Sequence, residues 1–171
     1  MPVVAIGRFV RWIARLRKPG GGSAIPGVVV NRIAPGFLTT VLNSFERGVV
    51  VVTGTAGKST TTRLLAAVVS AHGVRVFTNP STANIAQGLT SAVLSSCSLT
   101  GRINAEIAIL EMDEGHAAKL APDFHPRVSV LLNVCVDQID RFFDPQLVGE
   151  MLERVALSTR GAVVYNVDDD S

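Results

Sequence analysis

Seven consecutive residues have the types and spacing needed to bind the phosphate groups of a nucleotide. They are Gly54, Thr55, Ala56, Gly57, Lys58, Ser59 and Thr60. The glycines let backbone N–H groups curl around anionic oxygens, because glycine reaches positive φ without a Cβ clash. Lys58 can neutralise the outer phosphates, and the Ser59 hydroxyl can serve as a ligand for Mg²⁺. The segment is therefore a candidate site for a nucleotide and its Mg²⁺.

The flanking segments favour this interpretation over a chance match. An apolar, β-branched run precedes the segment at residues 49–53, and a helical pattern follows at residues 60–71. A buried strand, a tight glycine turn and a helix N-terminus are the parts of a P-loop. The match to G-x-x-x-x-G-K-(S/T) is incomplete, since Val52 stands where the first glycine is expected. A solvated loop that contains GKS by chance is the alternative.

A second candidate ligand for Mg²⁺ is the acid Glu111, which ends an apolar run at residues 105–110. In a P-loop protein a carboxylate at such a strand end holds the metal directly or through water. The alternative is a solvated strand end or a helix-capping acid. Asp113 and Glu114 can serve as the cap, which favours the metal role for Glu111. Asp137 and Asp140 follow the next apolar run, and contact with substrate, a turn and a helix cap all stay open for them.

The elements that must position these residues alternate between strand and helix. Apolar runs at 74–78, 105–110, 127–132 and 161–165 are separated by helical patterns such as 60–71 and 84–96. Such alternation predicts an α/β domain with a parallel sheet. Ligands of these sheets bind beyond the carboxyl ends of the strands. A polar residue stands at each of those ends: Thr53, Thr78, Glu111, Asn133 and Asn166.

The residues before the first strand predict a short helical extension, so the chain divides into residues 1–47 and a P-loop domain at 48–171. Residues 3–17 predict a helix that gathers its apolar residues near one side: Val4, Phe9, Trp12, Ile13 and Leu16. That helix either packs on the domain or lies on a membrane, and packing is favoured because Gly7 and the short length make a weak free-standing anchor. Residues 18–27 predict a linker, and residues 34–47 a short helix.

Composition and charge limit the classes of ligand and partner that the chain can bind. No apolar stretch reaches the ~20 residues that span a bilayer, and no signal peptide is evident, so a cytoplasmic protein is expected. Residues 1–63 hold nine Lys and Arg against one acid, and the rest hold seven against thirteen. The basic third suits a phosphorylated ligand, an anionic membrane surface or a solvated helix face. Few aromatics argue against nucleic acid, and Cys97 and Cys135 are expected to be buried small hydrophobes.

Four motifs in order resemble the Mur ligase family across residues 20–169: TGTAGKSTTTRLL, LEMDE, LLNVCVDQIDRF and VVYNVDD. The resemblance implies an incomplete central domain of an ATP-dependent amide-forming ligase of peptidoglycan synthesis. It also implies that the D-glutamate carboxyl of lipid II is activated as an acyl phosphate and amidated with ammonia from a glutaminase subunit. Residues 54–60 would hold the triphosphate, Ser59 and Glu111 the Mg²⁺, and Asn166 would lie near the adenine.

The sequence also departs from the family pattern. Ala56 replaces an asparagine, Thr82 a glycine and, in the branch that amidates lipid II, Val136 an arginine. Ala56 still has a backbone N–H for phosphate. The family's four-cysteine zinc site is not present in this chain, which is expected to be inactive alone. A nucleotide-binding remnant without turnover is the alternative, and a folylpolyglutamate synthase is less favoured because of the DQIDR segment.

Overall fold

The computed structural model describes residues 1–17, 24–134 and 145–167. Within them, five parallel strands form one sheet in the order β2-β3-β1-β4-β5. The predicted α/β class with a parallel sheet is confirmed. The strands are β1 Val49–Thr53, β2 Val76–Phe77, β3 Ile107–Glu111, β4 Val128–Leu131 and β5 Ala162–Tyr165.

Seven α-helices and one 3₁₀ turn, Ser81–Ala83, accompany the strands in the described residues. The helices are α1 Pro2–Arg17, α2 Ile25–Ile33, α3 Phe37–Leu42, α4 Lys58–Ala71, α5 Ala86–Ser96, α6 Glu114–Phe124 and α7 Pro145–Ser158. Helix α4 connects β1 to β2, in one direction along the sheet. Helix α6 connects β3 to β4 and α7 connects β4 to β5, both in the opposite direction. Because parallel crossovers are right-handed, α4 covers one face of the sheet, and α6 and α7 cover the opposite face.

The central strand β1 consists mostly of valines and has a hydrogen-bonded strand on each side, β3 and β4. It is therefore buried, as expected for an apolar strand in the middle of a parallel sheet. All five polar strand-end residues lie at the carboxyl edge of the sheet, as predicted. The outer strands are shorter than their apolar runs: β2 has two residues, although the sequence indicated 74–78. An edge strand pairs on one side alone, so fewer of its residues enter the ladder.

The N-terminal helices join the same hydrophobic core as the sheet, which includes Val4, Val30 and Phe37 together with Val49 and Val51. The division at residue 47 stays a prediction. The predicted linker at 18–27 is wrong at its end, because α2 begins at Ile25. Proline is favourable in the first turn of a helix, where its missing N–H has no partner to lose.

Helix α1 packs on the domain, but not through the side that the sequence indicated. Val4 is fully buried, whereas Phe9, Trp12 and Ile13 are exposed by 60%, 59% and 36%. Five residues separate Val4 from Phe9, which turns them about 140° apart around a helix. They therefore cannot share a face, and the single apolar side predicted from the sequence is wrong.

Several other expectations can be placed on the structure. Cys97 is buried, as expected. Cys135, Val136, Asp137 and Asp140 lie outside the described residues. Among the described helices, none is long and apolar enough to cross a membrane.

Candidate nucleotide site

The turn that joins β1 to α4 is built on two glycines with positive φ. Gly54 has φ +128° and Gly57 has φ +84°. A Cβ at Gly54 would lie 3.0 Å from backbone atoms of both Leu132 and Asn133. The residue at this position must therefore adopt positive φ and also lack a side chain, and glycine meets both requirements. The glycines therefore bring the turn against the segment that follows β4.

The start of α4 presents unpaired backbone donors. Gly57 is the N-cap in a left-handed conformation, and no side chain caps the helix. Within the described residues, the backbone N–H groups of residues 57–60 have no acceptor in the protein. The positive end of the helix dipole lies at the same place. Such an end binds anions, and phosphate above all.

Asn133, which follows β4, holds the first half of the turn. Its Oδ1 accepts a hydrogen bond from the Ala56 N–H at 2.9 Å, and its backbone oxygen accepts one from the Thr55 N–H at 2.9 Å. The expectation that Ala56 has its backbone N–H available for phosphate is therefore wrong for this conformation. The available N–H groups begin at Gly57.

Lys58 folds back over the turn and meets a buried acid. Its Nζ donates to the carbonyl oxygens of Gly54 and, at 3.0 Å, Thr55. The same nitrogen lies 3.6 Å from Oε1 of Glu114, whose side chain is 3% exposed. Burial raises the pKa of the Glu114 carboxyl, while a backbone hydrogen bond and Lys58 oppose that rise. The ammonium group of Lys58 is therefore held between the carbonyl groups of the turn and the Glu114 carboxyl.

Glu111 is buried at the carboxyl end of β3 and pairs in register with Val52 of β1. Its backbone is fixed by Asn79, which accepts from the Glu111 N–H at 3.0 Å and donates to the Glu111 oxygen at 2.9 Å. The Glu111 carboxylate makes no hydrogen bond or ion pair with any residue that the structure describes. This buried carboxylate next to the central strand is available to a cation.

The donors at this edge suit Mg²⁺ in their chemistry. Glu111 and Ser59 both present oxygen, and Oε2 of Glu114 is buried without a hydrogen-bond partner. Among residues 1–17, 24–134 and 145–167, no three or more His, Cys, Asp or Glu side chains are grouped so that they could hold a metal ion by themselves. Mg²⁺ bound with a nucleotide takes most of its ligands from phosphate and water, so one carboxylate and one hydroxyl fit that mode.

Asn166 follows β5 and lines a cavity of about 240 Å³ beside the turn. The other walls come from the ends of β4 and β5 and from α7: Leu131, Leu132, Asn133, Val134, Gly149, Leu152 and Tyr165. The same Asn133 that holds Ala56 thus also lines this cavity. Apolar walls with a few amide groups are suited to a planar heterocycle.

Sequence reasoning missed two residues of the site. Glu114 was interpreted as a helix-capping acid, and Asn133 only as a polar strand end. Each contacts the turn across a long sequence separation, 56 residues from Lys58 to Glu114 and 77 from Ala56 to Asn133. The LEMDE segment shows an acid at residue 114, three residues after Glu111, but nothing in its spacing indicates a contact with Lys58.

The sheet order, the glycine turn and the buried acids together define a parallel α/β domain with a candidate nucleotide site at the carboxyl edge of its sheet. Residues 52–171 match the Mur ligase middle domain, and the chain belongs to the Mur ligase family. Two similar relatives are MurT subunits of lipid II isoglutaminyl synthase (glutamine-hydrolyzing). The protein from Streptococcus pneumoniae is 36% identical over 128 residues, which are 74% of this chain and 28% of that protein. The one from Staphylococcus aureus is 28% identical over 151 residues, or 86% of this chain and 33% of that protein.

The solved structures agree on the fold. The MurF ligase from Thermotoga maritima, solved in complex with ADP, superimposes with a TM-score of 0.67 and 26% identity over 87% of this chain. The match covers 33% of the MurF chain. This chain therefore spans about a third of each relative.

Proposed function

We propose that this chain is the ATP-binding part of a MurT-like, ATP-dependent amide ligase of peptidoglycan synthesis in the cytoplasm. In the proposed reaction, the γ-phosphate of ATP activates the D-glutamate carboxyl of lipid II as an acyl phosphate. Ammonia from a glutaminase subunit then displaces the phosphate and forms the amide. The names of the two MurT relatives support the substrate and the partner.

The observation that carries the proposal is the cluster of donors at the start of α4. Four consecutive N–H groups at residues 57–60 have no protein acceptor in the described residues, and the Lys58 ammonium group lies against the same turn. This arrangement matches the needs of a polyphosphate, because it supplies both neutral donors and one full positive charge. Residues 54–60 therefore form the proposed triphosphate site. Thr55 and Ala56 are part of the turn, but their N–H groups bond to Asn133 and are not donated to the phosphates.

Mg²⁺ would be held by Ser59 and Glu111, and when bound it would neutralise charge on the phosphate oxygens. The buried, unpartnered carboxylate of Glu111 supports this assignment. The adenine would occupy the cavity lined by Asn133 and Asn166, where the amide of Asn166 can hydrogen-bond to the ring edge. Lys58 would leave the carbonyl groups of the turn to contact the phosphates.

Calorimetric titration with ATP and Mg²⁺ tests the site. Lys58→Ala removes one full charge from the phosphates, so affinity is expected to fall at least about tenfold, or ~1.4 kcal/mol. Lys119→Ala is the matched control, because Lys119 is an exposed lysine on α6. If both variants are folded and bind ATP as the original chain does, the phosphate site is elsewhere or absent.

A second candidate function is nucleotide binding without turnover by this chain alone. Ala56, Gly57 and Thr60 are exposed to solvent at the rim of the turn, which favours this alternative. Acyl phosphate formation requires an acceptor carboxylate held in line with the γ-phosphate and shielded from water. Mass spectrometry of lipid II incubated with the chain, ATP, Mg²⁺, glutamine and a glutaminase subunit is expected to show no amide. Product that disappears with Lys58→Ala would overturn this alternative and support complete catalysis.

A further inference from the structure

We propose that α1 docks on the surface of an anionic phospholipid bilayer through the side that it turns away from the domain. The proposal concerns peripheral binding and is independent of the nucleotide site. It rests on how α1 is fixed, on what its outer side presents and on the charge around it.

One side of α1 is fixed to the domain by close packing. Val4 is fully buried, and Gly7 lies so near its neighbours that a Cβ there would be 2.9 Å from Leu94 and 3.1 Å from Val30. Arg8 adds a hydrogen bond from its guanidinium to the Cys97 carbonyl oxygen. The helix is thus already formed and oriented, so its short length is no obstacle to membrane binding.

The opposite side of α1 is apolar where a helix on a water-facing surface is normally polar. Ile6, Phe9, Trp12 and Ile13 are exposed by 45%, 60%, 59% and 36%. At about 100° per residue, all four fall within a sector of roughly 120°. The rings of Phe9 and Trp12 stack with centroids 6.0 Å apart. Large apolar side chains with a tryptophan among them are typical of helices that lie in a membrane interface.

The net positive charge of the N-terminal segment favours an anionic surface. Residues 1–33 contain six Lys and Arg and no Asp or Glu, and the first acid of the chain is Glu46. Basic residues beside an apolar helix face attract anionic headgroups, and the attraction adds to the burial of the apolar side chains. A protein partner or a second copy of the chain is the competing occupant, and a titration with lipid vesicles separates these from a bilayer.

Trp12 reports directly on this contact, because it is the sole tryptophan of the chain. The 171-residue chain is titrated with vesicles of phosphatidylcholine alone and of phosphatidylcholine mixed with phosphatidylglycerol. We expect a blue shift of tryptophan emission with the anionic vesicles, a much smaller one with the neutral vesicles, and loss of most of the difference at high salt. Unchanged emission with anionic vesicles would overturn the proposal. So would a shift that follows protein concentration in the absence of lipid, which would identify a second copy as the occupant.

Two double variants distinguish binding through the outer face of α1 from nonspecific binding through other exposed apolar side chains. Ile6→Ser with Phe9→Ser removes two exposed apolar side chains and keeps Trp12 as the reporter. The partition constant for anionic vesicles is expected to fall at least about tenfold. The matched control is Leu64→Ser with Leu157→Ser, which removes leucines exposed by 65% and 81% from α4 and α7. Equal partition of the two double variants would contradict docking through α1.

Discussion

Glu111 and Glu114 are two buried acids three residues apart, and their surroundings give them different roles. Glu111 ends β3 with its backbone fixed by Asn79 and its carboxylate unpartnered within the described residues. Glu114 begins α6 and faces the ammonium group of Lys58 at 3.6 Å. One acid is therefore available to a cation that arrives with the nucleotide, and the other already has its cation.

Glu111→Gln keeps the shape of the side chain and removes its charge. If the carboxylate acts through Mg²⁺, Mg²⁺-dependent ATP affinity is expected to fall by about tenfold, or ~1.4 kcal/mol. Thermal stability without ligand is expected to change little, since no protein partner loses its contact. Calorimetric titrations with and without Mg²⁺ measure the first effect, and thermal unfolding measures the second. Glu150→Gln, at an exposed position on α7, is the control. Strong destabilisation with unaltered Mg²⁺ dependence would make Glu111 a structural residue.

Glu114→Gln is expected to change how stability depends on pH. Burial raises the pKa of Glu114 above 4.5 in the folded chain, so the folded state binds the proton more tightly than the unfolded state. The free energy of unfolding then decreases as pH rises from the unfolded pKa through the folded one. Each tenfold difference in proton affinity is equivalent to about 1.4 kcal/mol. Glutamine cannot ionise, so this contribution is absent from the variant.

Urea unfolding of the two proteins at a series of pH values measures that difference. The stability of Glu114→Gln relative to the original chain is expected to increase from pH 4.5 towards neutrality. Because the other titratable groups are shared, their contributions cancel in the comparison. A difference that stays constant over this range, or one that decreases, would mean that the backbone hydrogen bond and Lys58 together offset or exceed the effect of burial on the carboxyl.

Among the elements, helices α2 and α5 approach each other most closely at Gly27. The Gly27 N–H donates to the Ser91 hydroxyl at 2.9 Å, and a Cβ at Gly27 would lie 1.9 Å from the Gln87 backbone oxygen. Because that neighbour is backbone, it cannot move aside as a side chain would. This contact fixes the N-terminal helices to the α/β part of the chain.

Gly27→Ala is accordingly expected to destabilise the chain by about 1–3 kcal/mol through overpacking. Gly36→Ala is the matched control, because a Cβ there would meet no heavy atom within 4 Å. Its effect is expected to remain within about 0.5 kcal/mol. Thermal or urea unfolding compares the two variants. Equal stabilities would show that α2 can shift away from α5 without loss.

At the scale of the whole molecule, the sheet ends in an edge strand that presents apolar side chains. Among the described residues β5 pairs with β4 alone, and Val164 and Tyr165 are exposed by 52% and 65%. Exposed edges of this kind pair with other chains and promote aggregation.

Val164→Lys is expected to lower aggregation at high protein concentration, because a charge on an edge strand disfavours pairing with another edge. Light scattering against protein concentration measures the effect. Val68→Lys is the matched control, since Val68 is exposed by 50% on helix α4 and offers no unpaired strand. Equal improvement in the two variants would attribute the effect to net charge and not to the edge.

The sequence by itself determined what depends on neighbours along the chain. The valine run at 49–53, the glycines at 54 and 57 and the alternation of apolar runs predicted the parallel sheet, the turn and the helix after it. Five polar strand ends were assigned to one edge, and they lie there. These features follow from local periodicity and from the backbone freedom of glycine, both of which can be recognised within a few residues.

Only the tertiary structure decided which distant groups meet. Strand order brings Asn133 to Ala56 and α6 brings Glu114 to Lys58, and neither pairing has a signature in the spacing of the residues. The outward apolar side of α1 depends in the same way on where Val4 and Gly7 find their partners in α2 and α5. A helix accepts both apolar and polar side chains at any of its positions. The neighbouring elements of the fold therefore determine whether a given side chain is buried, hydrogen-bonded or exposed.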